Sequence, residues 1–201
     1  MGDSSKKTWT ASLSGDFVLN FPIYVGCSYG LFTKSGELGQ TFWPPHPLPV
    51  PDKERYELKR QWDVWWNDIV MHKSQSKTQG FRYSPGMGLA DQQFSDLEGD
   101  LLRQACVDSW PVFNRWWNMP AGGQIAMYYW ESVPRIERYM QKLEQLHGGL
   151  KSSLSLVVDL IYTGLDAPIE PEEGYLIIPV DGPHLLKEEW WLKTLSRYFS
   201  D

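Results

Sequence analysis

Apolar and polar positions follow helical spacing in residues 52–73, and this is the clearest pattern in the chain. At about 100° per residue, four apolar side chains fall on one narrow stripe. They are Leu58, Trp62, Trp65 and Ile69. The pattern predicts an amphipathic helix with Asp52 as its N-cap and with Trp66 at a packing seam beside the stripe.

Apolar residues at the same spacing predict a second helix that begins at Asp91 and ends near Asn118. Pro111 lies inside this helix, where it lacks a backbone donor and clashes with the preceding turn. We therefore expect one bent helix or two abutting helices. A third helix is predicted to begin after Ser132 as its N-cap and to end at Gly148–Gly149.

Runs of β-branched and aromatic residues predict the strands. Residues 16–34 predict an N-terminal hairpin, with Pro22 on an edge because it cannot donate to a ladder. Residues 124–131 predict a buried strand, which the third helix joins to a strand at 154–162 in a parallel crossover. Residues 174–180 predict one more strand.

These elements predict an α+β fold of the mixed α/β kind, with a small mixed sheet of about four or five strands packed against Trp-rich amphipathic helices. One globular domain is expected over residues 1–201, with 1–15 flexible. In the strand at 154–162, Asp159 falls on the polar, half-exposed side. Residues 43–51 hold five prolines in nine positions and predict polyproline II. This segment is either a stiff connector or a docking segment for an aromatic groove.

Composition and charge exclude several classes of function. Apolar residues make up 42% of the chain and charged residues 22%, which is typical of a globular protein. A net charge of −6 argues against a nucleic-acid partner and favours a basic protein partner. The sequence has no secretory leader and no long apolar span, so we expect no membrane association and a cytoplasmic location. Cys27 and Cys106 have no metal or redox spacing and are expected to be free thiols.

Motifs for the common catalytic and cofactor sites are missing from the sequence. It has no Gly-x-Ser-x-Gly, no His-Glu-x-x-His and no phosphate-binding Gly-x-x-x-x-Gly-Lys-Ser/Thr. The four histidines are dispersed, so we expect no metal and no cofactor. Glu131, which follows the aromatic residues Tyr128, Tyr129 and Trp130, is the one candidate for carboxylate catalysis on a sugar.

The last helix, after Gly182–Pro183, carries an unusual second face. Trp191, Leu195, Tyr198 and Phe199 gather on the side that is expected to be buried. On roughly the opposite side lie Leu186, Trp190, Lys193 and Arg197. A tryptophan among basic residues on an outer face indicates either a partner surface or a helix that is packed on both sides.

We therefore predict a non-catalytic protein-binding module, of which a bacterial immunity protein that neutralises a toxin is one example. The predicted contact residues belong to an acidic loop, the proline-rich segment and the last helix. They are Trp43, His46, Asp166, Glu170, Glu172, Glu173, Leu186, Trp190, Lys193 and Arg197.

The alternative is a carbohydrate-like small-molecule binding protein or a hydrolase. Its aromatic pocket would be built from Tyr128, Trp130 and Glu131 together with the loop at 80–90, which contributes Arg82 and Tyr83. A third possibility, a structural subunit of an assembly, differs from the protein-binding module mainly in stoichiometry.

Overall fold

The structure is a computed structural model that describes residues 7–31, 48–76 and 87–200. Several predictions fall outside these ranges. The turn at 34–37, most of the proline-rich segment with Trp43 and His46, and the loop residues Arg82 and Tyr83 are among them.

The described residues form an α+β fold, which confirms the predicted class. The helices are α1 (Phe17–Ser28), α2 (Asp52–Gln75), α3 (Asp100–Asn118), α4 (Gly123–Glu131), α5 (Ile136–His147) and α6 (Glu188–Ser196). The strands are β1 (Trp9–Ser14), β2 (Leu154–Ile161), β3 (Ile169–Glu172) and β4 (Tyr175–Pro179).

The four strands form one mixed sheet in the order β1-β2-β4-β3. β2 pairs in parallel with β1 on one side and with β4 on the other, while β3 pairs antiparallel with β4. The predicted small mixed sheet and the strands at 154–162 and 174–180 are confirmed.

The predicted N-terminal hairpin is wrong, because residues 17–28 form α1. Asp16 caps this helix, and its Oδ1 accepts a hydrogen bond from the Val18 amide at 3.1 Å. Nearly every side chain of α1 is buried, so the helix has no polar face. A helix buried on all sides shows the same uninterrupted apolar run as a buried strand, and Pro22 is accommodated inside it.

Residues 9–14, which lie within the segment predicted to be flexible, form β1. β1 pairs with β2 over its whole length, from Trp9 opposite Leu154 to Ser14 opposite Asp159. The short, polar segment WTASLS gives little signal on its own, and its strand structure depends on the long-range pairing with β2.

Residues 124–131 are not a strand but most of α4, and the predicted crossover to β2 is therefore wrong. A short apolar run between two glycines and a serine fits a strand and a helix equally well by periodicity. Gly122 and Gly123 pack under Trp116 and Trp117, so the chain turns sharply after α3 and starts a new helix there.

Four helix starts differ from the predicted ones, and among them α6 begins at Glu188 instead of directly after Pro183, so that Leu186 lies before it. α2 begins with Asp52 as its first residue, and Pro51 is the N-cap. α3 begins at Asp100 because Asp91 instead caps a turn, with its Oδ1 accepting from the Gln93 amide at 2.7 Å. α5 begins at 136 instead of directly after Ser132.

The end of α3 at 118 is as predicted, and the helix is continuous through Pro111. The predicted acidic loop contains a strand, β3.

The tryptophans are mainly architectural, as their positions on the helices predict. Trp62 Nε1 donates to the Pro22 carbonyl at 2.8 Å, and Trp65 Nε1 donates to the Met87 carbonyl at 2.7 Å. The Phe21 ring lies at the centre of an aromatic cluster, with ring centroids 5.0–6.2 Å away. Its neighbours are Trp65, Phe94, Trp110 and Phe113.

Different helices cover the two faces of the sheet. Lys73 of α2 reaches Asp159 on one face of β2. Leu176 of β4 points to the other face, where it lines a groove together with residues of α6. This arrangement places α6 along β3 and β4, where several of the predicted contact residues meet.

Candidate functional site

Four of the predicted contact residues line one groove between β3 and α6. The groove has a volume of about 330 Å³. Its lining residues are Pro168, Ile169, Glu170, Leu176, Trp190, Lys193, Thr194 and Arg197. One residue of the acidic segment, Glu170, therefore belongs to the same surface as the basic face of the last helix.

Glu170 and Arg197 form an ion pair across this groove. Arg197 Nη2 also donates to the Tyr198 hydroxyl at 2.8 Å, and the Gly174 amide donates to Glu170 Oε1 at 3.1 Å. Burial lowers the pKa of Arg197, but the hydrogen bonds with Glu170 and Tyr198 outweigh it and raise the pKa overall. These contacts hold the end of α6 against the edge strand β3.

The indole of Trp190 is partly buried and packs edge-on against two rings. Its ring centroid lies 4.9 Å from that of Trp191 and 5.7 Å from that of His184. The predicted buried face of the helix is confirmed, since Trp191, Leu195, Tyr198 and Phe199 are all buried. Leu186 is 60% exposed and lies before α6. Glu188 pairs with Lys142 of α5 at 2.8 Å.

The other acidic contact residues do not join the groove. Glu172 Oε2 accepts a hydrogen bond from the Ser74 hydroxyl, which ties β3 to the end of α2. Asp166 precedes β3 in the chain and Glu173 follows it, and both side chains are exposed. Trp43 and His46 lie outside the described residues.

Glu131, the catalytic candidate of the alternative reading, makes a structural contact. Its Oε1 accepts a hydrogen bond from the Gly15 amide at 2.8 Å and thereby ties the end of α4 to the end of β1. Trp130 is partly buried, whereas Tyr128 points into solvent. Arg82 and Tyr83, which the aromatic pocket also requires, are outside the described residues, so the pocket itself stays a prediction.

The exposed face of α4 is a surface that the sequence analysis missed. Ile125, Tyr128 and Tyr129 are 52%, 60% and 65% exposed. Their i, i+3, i+4 spacing makes them neighbours on one face of the helix. Met127 faces the interior and is fully buried. Residues 116–130 contain no charged residue and no histidine, so this exposed face is apolar and aromatic without nearby charge from its own segment.

Two further exposed apolar residues belong to the preceding helix and turn. Val112 of α3 is exposed, and so is Met119, which follows α3 and packs under Gly122. The signal that would have revealed the α4 face is the helical period within 124–131. It is hidden because the inward and outward residues of this helix are both aromatic or apolar.

A buried cluster of ionisable groups lies between α2 and the sheet, and it too was missed. Lys73 Nζ lies 2.7 Å from Asp16 Oδ2 and 3.1 Å from Asp159 Oδ2. The Tyr175 hydroxyl donates to Asp159 Oδ2 at 2.7 Å. Asp159 had been predicted on the polar, half-exposed side of its strand, but Lys73 of α2 covers that side and Asp159 is almost completely buried.

The pKa shifts in this cluster follow from burial and from the pairing of charges. Burial raises the pKa of Asp159, and Lys73 offsets part of this rise. Burial lowers the pKa of Lys73, but Asp159 and Asp16 outweigh it, so the pKa of Lys73 is raised. Burial and the Asp159 carboxylate both raise the pKa of Tyr175. These groups form a buried network of ion pairs and hydrogen bonds that joins α2 to the sheet.

Comparison with models of protein families, with curated proteins and with solved structures finds no match for this chain. None of the helices in residues 7–31, 48–76 and 87–200 combines the length and the apolar character that a membrane crossing requires. In the same ranges, His, Cys, Asp and Glu side chains form no group of three or more that is suited to hold a metal ion.

Proposed function

We propose that this protein is a non-catalytic protein-binding module and that the exposed face of α4 is its main docking surface. The observation that carries the proposal is the set of three neighbouring, solvent-exposed side chains Ile125, Tyr128 and Tyr129 on one helix face. Single exposed apolar residues are common on soluble proteins, but a contiguous group is typical of an interaction site.

The chemistry of this face supports a protein partner. Interface cores are depleted in charged residues and enriched in tyrosine, and tyrosine is frequent among the residues that dominate binding energy. Tyr128 and Tyr129 supply large, stiff side chains with a polar hydroxyl at the tip. The absence of charge in residues 116–130 fits the centre of such an interface better than its rim.

Two contacts fix α4 to the rest of the fold, which favours binding without a large entropic loss. Met127 anchors the inner face of α4 against Gly15, and Glu131 fixes its last turn through the Gly15 amide. A preorganised helix loses little conformational freedom when a partner docks on it. A neutralising protein that covers the active surface of a toxin is one class of module with these properties.

The groove between β3 and α6 is the second candidate contact. Leu186 and Lys193 are exposed, while Arg197 is held by Glu170. In this second contact, the predicted residues that line the groove form a mainly polar surface, which is separate from the α4 face. A basic partner would be attracted to the chain as a whole by its net charge of −6.

The experiment compares partner capture by three forms of the protein in an extract of the native host at low salt. The Tyr128→Ser/Tyr129→Ser variant is expected to lose a stoichiometric protein partner that the wild-type chain retains. Tyr56→Ser is the matched control, because Tyr56 is a tyrosine of α2 that is 77% exposed and lies on a different helix. It should bind as the wild type does.

A photo-crosslinking amino acid at position 128 tests the same surface without removing it. It should crosslink to the captured partner, whereas the same amino acid at position 56 should not. Equal capture by all three forms, with no crosslink from position 128, would rule out the α4 face as the docking surface. Loss of the partner in Trp190→Ser or Lys193→Glu alone would move the site to the groove beside α6.

A further inference from the structure

β1 forms one edge of the sheet, and half of its backbone polar groups point outwards. Among the described residues, β1 pairs with β2 only. The Thr8 carbonyl accepts from the Leu154 amide at 2.9 Å, so the backbone of Thr8 faces β2. Because the direction alternates along a strand, the N–H and C=O groups of Trp9, Ala11 and Leu13 face away from the sheet.

The two edges of the sheet differ in how they are protected against further pairing. β3, at the other edge, has two glutamates, a proline at 171 and an irregular register against β4. Charges, proline and bulges are the features by which natural edge strands avoid pairing with another chain. β1 has none of them, since its six residues are uncharged, contain no proline and pair in regular register.

The side chains of β1 leave an apolar layer incomplete. Trp9, Ala11 and Leu13 point to one face, where they pack against the core but stay partly exposed. Thr10 and Ser12 point to the other face and are exposed. A strand added along β1 would cover the remaining apolar surface and pair the outward backbone groups in the same step.

We infer that β1 is a dimerisation edge, which pairs antiparallel with β1 of a second copy of this chain. A two-fold axis through Ala11 places Ala11 opposite Ala11, and Trp9 opposite Leu13 on either side. All of these residues have outward backbone groups, so each opposed pair exchanges two hydrogen bonds. Thr10 then lies opposite Ser12 on the other face, and the two sheets become continuous.

The uncharged side chains of β1 are compatible with a second copy as the occupant. Two chains of net charge −6 repel each other, so their contact must be free of acidic side chains, and β1 meets this requirement. The strand is also self-complementary, because the register about Ala11 brings only uncharged side chains of β1 opposite one another.

The test is the molar mass in solution, measured by sedimentation equilibrium over a range of protein concentrations. The wild-type protein is expected to reach twice the mass of one chain. Ala11→Pro should raise the dissociation constant by at least about tenfold, because it removes an outward N–H from the centre of the contact. The same N–H makes no bond to β2, so the variant should keep the fold, as judged by circular dichroism.

A second variant keeps the backbone intact. Ala11→Lys places two ammonium groups opposite each other on the two-fold axis and should also give a monomer. Ile125→Ser, on the α4 face, is the control and should stay dimeric. This control also separates the inference from the proposed function, because partner docking on α4 does not require the dimer.

Hydrogen exchange supplies an independent measurement. In the dimer, the amides of Trp9, Ala11 and Leu13 should gain protection as the concentration rises, while those of Thr10 and Ser12 are protected throughout by β2. A wild-type chain that stays monomeric at every concentration overturns the inference. So does a dimer that survives both Ala11 variants, or one that only Ile125→Ser dissociates.

Discussion

Lys73 of α2 and Asp159 of β2 form an ion pair of 3.1 Å in the interior, with both side chains more than nine-tenths buried. Asp16, which caps α1, accepts from the same ammonium at 2.7 Å. One lysine therefore pairs with two carboxylates from two different elements and joins them to α2. Such a group is costly to bury, and the cluster is stable because its polar atoms are paired.

Lys73→Met should destabilise the protein by about 3 kcal/mol, since removal of one partner leaves buried carboxylates without a cation. Asp16 is about one-third exposed and can be hydrated, which keeps the cost at the lower end of the usual range. The measurement is the free energy of unfolding in urea.

Lys59→Met is the control for this variant. Lys59 pairs with Asp63 on the exposed side of the same helix, at 2.6 Å. An exposed i, i+4 pair contributes only about 0.3–0.5 kcal/mol. Equal effects of the two substitutions would show that the buried pair contributes no more than a surface pair.

The effect of Lys73→Met should depend on pH. Burial already raises the pKa of Asp159 above its usual 3.8, and the loss of Lys73 raises it further. A carboxyl whose folded-state pKa is raised costs no stability below its unfolded pKa, where it is protonated in both states, and costs more as the pH rises from the unfolded pKa towards the folded one. The difference in unfolding free energy between wild type and variant should therefore be smaller at pH 4 than at pH 7.

Asp159→Asn in the Lys73→Met background identifies the titrating group. In the double variant the carboxyl is gone, so the difference between pH 4 and pH 7 should shrink. A difference that stays the same with Asp159 replaced would assign the pH dependence to another group, of which Asp16 is the nearest.

The sequence predicts those elements of the fold whose pattern separates helix from strand. α2 was found because its apolar residues repeat with a clear helical period. β4 is buried on both faces and was found because its short apolar run lies between turn residues. α1 and α4 were predicted as strands, because α1 is buried all round and α4 is apolar on both its buried and its exposed sides. In both helices the period that distinguishes helix from strand is lost.

A site can be predicted from the sequence only where a single helix or strand contains all of its residues. The basic face of the last helix is a local pattern, and its buried opposite side was predicted correctly. The pairing of Arg197 with Glu170 joins residues 27 positions apart, and that of Lys73 with Asp159 joins α2 to β2. No local pattern encodes such contacts, since they arise only when the helices pack on the sheet.

Gln61→Ala should destabilise the protein by about 1 kcal/mol, because Gln61 of α2 caps α3. The residue before α3 is Gly99, which has no side chain to cap it, and Gln61 Oε1 accepts from the Leu102 amide at 3.0 Å. The measurement is urea unfolding together with hydrogen exchange at the Leu102 amide, which should lose protection.

Gln104→Ala is the matched control for this cap. Gln104 is an exposed glutamine of α3 that donates to Asp108 on the same helix at 2.8 Å, and its loss should change stability by less than about 0.5 kcal/mol. Unchanged exchange at the Leu102 amide in Gln61→Ala would contradict the capping role.

Gly122→Ala should disrupt the turn that places α4. A Cβ at position 122 would lie 1.9 Å from the Trp116 carbonyl oxygen, which is backbone and cannot move aside without shifting the end of α3. We expect a loss of about 3 kcal/mol or more, at the upper end for an overpacked site. Gly149→Ala is the control, since a Cβ there meets no atom within 4 Å. Thermal unfolding followed by circular dichroism should show a large drop in Tm for the first variant and little change for the second.

Because α4 carries Tyr128 and Tyr129, Gly122→Ala should also weaken capture of the protein partner at temperatures where the fold persists. Normal capture together with a lowered Tm would show that the α4 face does not bind the partner or that its position tolerates the shift.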